Sequence, residues 1–442
     1  MANLGTLEEL SQEYRDTLLA KNLLPLWPNR SSHKNYSKYF SYVLKKNCSI
    51  SVRKVDKMNQ ELVDRAIALK PLLRERARDA EIARKTPKET AQDYIDSGVL
   101  KSLQPKKYGG HQADWETMLS VIMALAQGDA SQAWVAAVYS VHVLDVTMYP
   151  EQAQQEVWGN NPDQLVVSGV APSGKGDRTD DGVIVSGRWG FVSGVAHGNW
   201  AELGFMMPHA KTGELTHHLC LVPAECLDIE DTWHVMGITG SGSCHVSVKD
   251  VLVPHHRIIT RTDQRQGTAP GTTCHEDKIY QTPYLTVPPS VLASVVVGAA
   301  EGALEEYLEF TKTRSQRNVA VAERESMQLR VAESSVEIDL ARVLLLRIAE
   351  EASSGMREFG QLSVEKRARM RRDTAYACTL SKRAVERLFE ASGAHGLYLN
   401  ETFQRQYRDV KAASNHIAIG WDRCGGTYGR VALGLEPGPD EI

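Results

Sequence analysis

The chain has 442 residues, of which 42% are hydrophobic and 24% charged, and its formal net charge is -4. This is ordinary globular composition for two or three domains, without the clustered basic excess of proteins that bind nucleic acid or membrane surfaces. The seven cysteines include no CxxC pair, which indicates reduced thiols. No apolar run is long enough to span a bilayer, and the polar, acidic N-terminus does not resemble a secretory signal. The sequence therefore predicts a cytoplasmic protein with no nucleic-acid or membrane partner.

A helical domain is predicted over residues 56–162. Apolar side chains from Val63 to Leu73 recur about every 3.6 residues, the period of an amphipathic helix. Thr117 to Met148 reads as a long buried helix or helix pair. We expect an interruption near Gly128 to Ser131, because this stretch offers side chains that cap helix N-termini.

The period changes to two between Leu165 and Val253, which predicts short strands, and we expect a central β-barrel domain over 163–275. Asp180-Asp181-Gly182 is a hairpin signal. A loop over Thr260 to Thr286 leads to a helical domain over 276–442. Further helices are predicted over Val291–Glu350, Lys366–Gly393 and Asp409–Trp421. Helices, then strands, then helices predict an α+β fold that is mainly α, with a segregated β domain rather than alternating βαβ units.

Several motifs of common enzyme sites are absent from the sequence. There is no GxGxxG after a strand, no Walker A loop, no GxSxG, no HExxH and no zinc-type Cys/His spacing. The pairs His217-His218 and His255-His256 are adjacent, and adjacent side chains of a strand point to opposite faces. We expect these histidines in loops or on the surface, and the sequence predicts no metal site.

Six segments, taken in order, resemble the oxygenase components of two-component flavin-dependent monooxygenases, which are built on the acyl-CoA dehydrogenase scaffold. The most specific is VSGRWGFVSGVAHGNW, similar to the G-[RK]-W-x-F-x-S-G segment of flavin hydroxylases such as those acting on 4-hydroxyphenylacetate. The others read ELVDRAIALKPLLRERARDAE, GVLKSLQPKKYGG, GDASQAWVAAVYSVH, MGITGSGSCHVSVKDVLVP and RDVKAASNHIAIGWD. The last resembles a C-terminal helix that supplies a histidine.

The resemblance covers about residues 57–435 and leaves out residues 1–55. We predict that these form an N-terminal extension with a short helix over Leu7 to Lys21. Its opening, EELSQEYRDTLLAKNLLPLW, is similar instead to the start of a gentisate-type ring-cleaving dioxygenase. A partly ordered extension and a helper in subunit contact are the two interpretations.

The resemblance implies a fold and a reaction. The fold is an N-terminal helical domain, a central β domain and a C-terminal four-helix bundle, assembled as a homotetramer. Reduced FAD or FMN comes from a separate NAD(P)H:flavin reductase, so NAD(P)H acts only indirectly. The reduced flavin reacts with O2 to form a flavin hydroperoxide, which hydroxylates a small aromatic, phenolic substrate. The protein's task is to keep the site dry and to supply hydrogen bonds and a proton acceptor.

Four residues are implied as catalytic. Ser193, in the FVSG turn, is the candidate for the hydrogen bond to the central-ring nitrogen of the flavin. His142 is the candidate acceptor of the phenolic proton, since histidine titrates near neutrality. His416 matches a second substrate-side histidine, and Ser168 matches a serine that faces substrate or flavin.

The flavin is expected to contact aromatic rings and a phosphate site. Trp134, Trp189 and Phe191 are candidates to flank its ring system, beside Ser168 and Ser193. Arg314 resembles the arginine that meets the flavin phosphate or pyrophosphate, often from a neighbouring subunit. Ser392 and Gly393 resemble a second flavin-contacting turn.

Two other enzyme classes and one non-enzymatic class stay open. The same scaffold carries monooxygenases that oxidise nitrogen, sulfur or an indole-like ring. An acyl-CoA dehydrogenase needs a carboxylate base, and its YEG-type segment is replaced here by GWDRCGGTYGR. A binding or assembly module would bind no flavin.

Overall fold

The computed structural model describes residues 59–209, 212–316 and 318–438. The predicted extension 1–55 and its helix lie outside these residues. The helices are α1 Gln60–Ala83, α2 Lys88–Ser97, α3 Trp115–Ala126, α4 Ala130–Met148, α5 Glu151–Trp158, α6 Arg261–Gln266, α7 Pro288–Thr313, α8 Glu325–Phe359, α9 Val364–Ser392, α10 Thr402–Ala413 and α11 Trp421–Ala432. The strands are β1 Val166–Arg178, β2 Gly182–Val192, β3 Trp200–Pro208, β4 Leu215–Pro223, β5 Asp228–Glu230, β6 Cys244–Pro254, β7 Ile258–Thr260, β8 Ser315–Gln316 and β9 Val319–Ala320.

The predicted helix pair is confirmed as α3 and α4, which are separated by three residues. Asp129 caps α4 by accepting a hydrogen bond from the Gln132 amide at 2.9 Å, so the interruption falls where the capping signal placed it. Every residue of α4 is buried. A helix with no exposed face lies at the centre of a fold, and α4 contacts both the β domain and the C-terminal helices.

The β domain is one seven-stranded sheet in the order β5-β6-β2-β1-β3-β4-β7. All pairs are antiparallel except β1 with β3. The predicted hairpin is confirmed between β1 and β2, where the Thr179 amide donates to the Gly182 carbonyl at 2.9 Å. The three-residue strands β5 and β7 were not predicted, because a period of two is not recognisable over so few residues.

The C-terminal helices pack on the N-terminal ones through α7. Gly298 and Gly302 bring α7 against the C-terminal end of α3, where a Cβ atom on either glycine would collide with the carbonyl group of Met123 or of Gln127, the residue that follows α3. The predicted helical section Val291–Glu350 is interrupted by the β8–β9 hairpin. The predicted loop Thr260–Thr286 contains α6 and two 3-10 turns.

The prediction of one helix over Asp409–Trp421 is wrong. Helix α10 ends at Ala413 and α11 begins at Trp421. The Ser414 hydroxyl donates to the Val410 carbonyl at 2.6 Å, and serine and asparagine at 414–415 favour a turn over continued helix. His416 is therefore held in a turn between two helices. Among the described residues, no helix combines the length and apolarity needed to cross a membrane.

Candidate active site

Three of the predicted site residues meet between α4 and the β domain. The Trp134 indole N–H donates to the Ser193 hydroxyl at 3.1 Å. The ring of His416 lies 5.7 Å from the ring of Trp134, centroid to centroid. Residues that are distant in sequence thus converge on one side of a buried helix.

Ser193 belongs to a chain of three hydroxyls that the sequence analysis missed in part. Its Oγ lies 2.7 Å from Ser243 Oγ, which lies 2.8 Å from Ser241 Oγ. When each hydroxyl donates toward Ser241, the Ser193 oxygen accepts from Trp134 and keeps one lone pair. Ser241 and Ser243 stand in the quoted segment MGITGSGS, but a run of small residues does not reveal which serine is a hydrogen-bond partner.

The turn after Ser193 is fixed on both sides. The Gly194 amide donates to the Ser241 carbonyl at 2.9 Å, and the Tyr139 hydroxyl donates to the Gly194 carbonyl at 2.5 Å. Gly194 has φ +71°, and a Cβ atom there would lie 2.8 Å from the Tyr139 hydroxyl. Only glycine combines this conformation with this close approach.

A second pair is formed by His142, further along α4, and Ser168 of β1. His142 Nδ1 lies 2.8 Å from the Val166 carbonyl, and its Nε2 lies 2.9 Å from Ser168 Oγ. A carbonyl only accepts, so Nδ1 carries the proton and Nε2 is a free base that accepts from the serine. Burial lowers the pKa of His142 to about 4, which keeps this tautomer neutral at neutral pH.

His416 has the opposite tautomer. Its Nδ1 accepts a hydrogen bond from the Ala418 amide at 3.2 Å, so the proton of the neutral ring is on Nε2. The site therefore contains one imidazole with Nε2 as acceptor and one with Nε2 as donor. Sequence reasoning proposed both histidines but had no means of assigning their tautomers.

The arginine predicted to meet the flavin phosphate and the second predicted flavin-contacting turn come together. Arg314 donates to the Ser392 carbonyl at 2.6 Å. Gly393 has φ +67°, and a Cβ atom at this position would lie 3.0 Å from an Arg314 guanidinium nitrogen. Arg314, Ser392 and Gly393 thus form one cluster at the end of α9. Because Gly393 has no side chain, the Arg314 guanidinium can lie against its backbone.

The two aromatic residues of β2 have different environments. Phe191 has φ +62° and is 74% exposed, with its ring 6.1 Å from that of Trp233. Trp189 is completely buried against Gly174 and donates to the Gly204 carbonyl at 2.7 Å. The prediction that Trp189 flanks a flavin is not supported, because its ring is enclosed in the β-domain core.

The adjacent histidines and the described cysteines lie outside any cluster that could hold a metal ion. In the described parts of the chain, no group of three or more His, Cys, Asp or Glu side chains is placed to hold a metal ion. His218 is buried in β4 and its ring stacks on Phe205, so the prediction of a loop or surface position is wrong for this residue.

Comparison with known proteins identifies the family. Residues 55–160 and 290–421 match the models described as acyl-CoA dehydrogenase N-terminal and C-terminal domains. The chain is 35% identical over 395 residues to the FADH(2)-dependent resorcinol hydroxylase, oxygenase component, of Rhizobium sp. strain MTP-10005, covering 86% of this chain and 96% of that protein. The chain belongs to the oxygenase components of flavin-dependent monooxygenases.

Solved structures agree with this family and with the predicted fold. The 3-HSA hydroxylase of Rhodococcus sp. RHA1 superposes with a TM-score of 0.81 at 34% identity, over 86% of this chain and 99% of that one. XiaF from Streptomyces sp., solved in complex with FADH2 and glycerol, gives a TM-score of 0.80 at 27% identity, over 87% and 97% of the two chains. The predicted acyl-CoA dehydrogenase-like fold and the prediction of a flavin-dependent monooxygenase are confirmed.

The residues of the oxygenase fit a flavin at two points. An exposed phenylalanine beside a glycine-rich turn offers a flat apolar surface that a planar ring system would cover. Ser193, one residue beyond the end of the same strand, is buried but keeps a lone pair. Trp134, Phe191 and Ser193 would face the ring, and the Arg314 cluster suits a phosphate.

The oxygenase also contains a buried acid pair that the sequence did not reveal. Asp145 of α4 and Glu202 of β3 are both fully buried. Gln264 donates from one nitrogen to Asp145 at 2.9 Å and to Glu202 at 3.5 Å. Burial raises the pKa of both carboxyl groups, and for Asp145 the neighbouring charge of Glu202 raises it further. The pair therefore tends to retain a proton.

This acid pair adjoins the His142–Ser168 pair. In the parallel register of β1 and β3, Ser168 is the Cα partner of Glu202, and Asp145 is one helical turn beyond His142. Gln264 belongs to α6, at the start of the predicted loop Thr260–Thr286. The acid pair thus anchors this loop beside His142.

Replacing Glu202 by glutamine is expected to flatten the pH dependence of stability. A raised folded-state pKa means that the unfolded state loses its proton first, so the free energy of unfolding falls as pH rises above the ordinary carboxyl value of 4.5. In Glu202→Gln this fall should shrink by about 1–3 kcal/mol between pH 5 and pH 8. Urea unfolding at both pH values measures it. Equal slopes in variant and wild type would contradict the expectation, and Glu225→Gln is the exposed control.

Proposed function

We propose that this oxygenase hydroxylates a phenol, using reduced flavin delivered by a separate reductase. The bound reduced flavin supplies the two electrons by which O2 is split between the hydroxylated ring and water. The observation that supports a phenol is the His142–Ser168 pair, a neutral base whose free nitrogen faces a hydroxyl. A substrate with an acidic hydroxyl is the partner that this arrangement can deprotonate.

His142 is proposed to take the phenolic proton. A phenol that donates to Ser168 Oγ can pass its proton through the serine to His142 Nε2, since the serine already donates to that nitrogen. The Val166 carbonyl then stabilises the imidazolium by accepting from Nδ1. Loss of the phenolic proton makes the ring a better nucleophile toward oxygen.

His416 and Ser193 are proposed to act on the other side of the substrate. The Nε2–H of His416 is free to donate a hydrogen bond to the reacting oxygen, because Nδ1 is already occupied by a backbone amide. Ser193 is proposed to accept from the central-ring N–H of the flavin. Both contacts would oppose release of hydrogen peroxide without product.

Replacing Arg314 by alanine should weaken flavin binding without unfolding the protein. Charge-assisted hydrogen bonds contribute about 1.5–3 kcal/mol, so the dissociation constant for reduced flavin should rise about 10- to 100-fold. Anaerobic titration followed by fluorescence measures it. Lys312→Ala removes an exposed cation two residues away, paired with Glu309, and should leave flavin affinity unchanged. Unaltered affinity in Arg314→Ala would overturn the phosphate assignment.

The proposed function is tested by mixing the protein anaerobically with reduced FMN or FADH2, then adding oxygen and a panel of substrates. We expect phenols to be converted to hydroxylated products at near one product per flavin oxidised. Conversion of indoles or sulfides but not phenols would transfer the assignment to the related ring- and heteroatom-oxidising enzymes. Flavin oxidation at the free-solution rate, with hydrogen peroxide as the sole product, would contradict a monooxygenase.

We also propose a homotetramer in the cytoplasm. An apolar stripe on α8 is uncovered in the single chain, at least half exposed at each position: Leu329, Val336, Leu340 and Val343. Such a stripe is typical of a subunit interface. Cys220, Cys226, Cys244, Cys274 and Cys378 form no disulfide, which suits a reducing compartment. Sedimentation velocity tests the assembly, and a monomer at micromolar concentration would contradict it.

A further inference from the structure

Asp409 of α10 is a buried carboxylate whose partner is a backbone amide of the β domain. Its side chain is 2% exposed, and one oxygen accepts from the Ile238 amide at 2.6 Å. The sequence analysis did not assign Asp409 to the site. A buried polar group needs a hydrogen-bond partner, so this contact is a specific one rather than incidental packing.

Ile238 has a backbone conformation that requires such support. Its φ is +47°, in the left-handed region that β-branched residues rarely adopt. Its carbonyl accepts from the Trp233 indole at 3.2 Å and from the Ser241 amide at 3.1 Å. With Asp409 on the amide, both backbone polar groups of Ile238 are held by buried partners. Strained residues persist where the surroundings fix them in this way, and they are frequent at functional sites.

The turn that begins at Ile238 lies directly against three helices. Gly237 touches the backbone carbonyl of Arg408 in α10, so closely that a Cβ atom would overlap it. Gly240 packs on α1 and α4, and its carbonyl accepts from the Thr86 hydroxyl at 3.0 Å. Packing therefore limits where the turn can lie, and the Asp409 contact fixes its first residue.

The same turn holds the serine assigned to the flavin. Ser241 binds the Gly194 amide through its carbonyl and Ser243 through its hydroxyl, and Ser243 binds Ser193. An uninterrupted set of hydrogen bonds thus leads from Asp409 through Ile238 and Ser241 to both residues of the 193–194 turn. A displacement at Ile238 would be transmitted to Ser193 because every side chain in this set is buried and has little room to adjust.

We propose that Asp409 is a positioning residue: by holding Ile238 in its left-handed conformation, it places Ser193 for its contact with the flavin. This inference rests on the proposed role of Ser193. Helix α10 also ends three residues before His416, so the helix that carries Asp409 leads into the turn that presents the second histidine.

Asparagine is the matched substitution at this position. Burial, together with the nearby Asp129 carboxylate, raises the pKa of Asp409. Both protonation states keep an oxygen that can accept from Ile238, and so does an asparagine side chain. Alanine removes the acceptor and leaves the Ile238 amide without a hydrogen-bond partner.

The test measures amide hydrogen exchange in the flavin-free protein, on peptides covering residues 236–243. In Asp409→Ala we expect exchange about tenfold or more faster than in wild type, because the Ile238 amide loses its acceptor. Asp409→Asn should stay within about threefold of wild type. Asp373→Ala removes another buried carboxylate, bound to Arg347, and should not alter exchange in 236–243. Unchanged exchange in a folded Asp409→Ala would overturn the inference.

A second measurement reports on the link to Ser193. The fraction of oxidised flavin that yields product should fall in Asp409→Ala, as in Ser193→Ala, and should be restored in Asp409→Asn. Faster exchange with an unchanged fraction of product per oxidised flavin would overturn the link to Ser193. It would leave intact the conclusion that Asp409 holds Ile238. If wild type itself gives no product, the proposed function fails, and the exchange result still stands alone.

Discussion

Replacing His142 by alanine is expected to lower the rate of phenol hydroxylation by about 10²- to 10⁴-fold, the range attributed to general base catalysis. The imidazole is neutral and buried, with Nδ1 held by the Val166 carbonyl and Nε2 directed at Ser168. Alanine leaves the serine with no base behind it, so the phenol must react without losing its proton. Product formation in single-turnover mixing with reduced flavin and O2 measures the effect.

The matched control for this prediction is His275→Ala. His275 is half-buried, is bound to Gln154 at 2.9 Å, and like His142 has a pKa lowered by burial to about 4. We expect this variant to hydroxylate at a rate close to wild type. A His142→Ala rate within tenfold of wild type would show that the phenolic proton leaves by another path. Flavin affinity should be unchanged in both variants, because neither histidine is assigned to the cofactor.

Replacing Ser193 by alanine is expected to uncouple the enzyme. The variant loses the acceptor proposed for the flavin N–H, and a hydrogen bond of about 1–3 kcal/mol corresponds to a 5- to 150-fold faster release of hydrogen peroxide. Alanine also removes the hydrogen bonds that Ser193 forms with the Trp134 indole, at 3.1 Å, and with Ser243, at 2.7 Å. Peroxide and product are counted per flavin oxidised, with and without phenol.

The same counts distinguish the role proposed for Ser193 from the role proposed for His142. In Ser193→Ala the faster release of hydrogen peroxide should appear even without phenol, whereas in His142→Ala any faster release should appear only when phenol is bound. Ser186→Ala, which changes a half-buried serine of β2 bound to Asp250, is the control and should couple normally. Normal coupling in Ser193→Ala would exclude this serine from the flavin contact.

Much of the fold could be predicted from local patterns. The capping residue of α4 and the hairpin between β1 and β2 follow from nearest-neighbour chemistry, which the sequence displays directly. The helix predicted over 409–421 failed because apolar spacing continued through a segment whose serine and asparagine favour a turn. Periodicity reports which residues are buried, and it does not report where a helix ends.

The candidate active site also has features that local sequence patterns do not predict. Trp189 and Phe191 are two residues apart, so strand alternation predicts that both face the same way. A left-handed backbone at Phe191 turns its ring outward while Trp189 stays inside, and no residue type signals this change. The Asp409–Ile238 contact spans 171 residues, and no sequence period connects positions that far apart.

The opposite tautomers of the two histidines affect which form of a phenol the pocket accepts. His142 is neutral because burial lowers its pKa to about 4, and His416 is neutral while its Nδ1 accepts from the Ala418 amide. A phenolate from solvent would shed its water for a site with no counter-ion at these histidines, and that desolvation is unfavourable. A neutral phenol enters at lower cost and forms its own ion pair with His142 once inside. The rate of hydroxylation should therefore follow the concentration of the un-ionised phenol. In alkaline solution, where the phenol is ionised, the rate should fall.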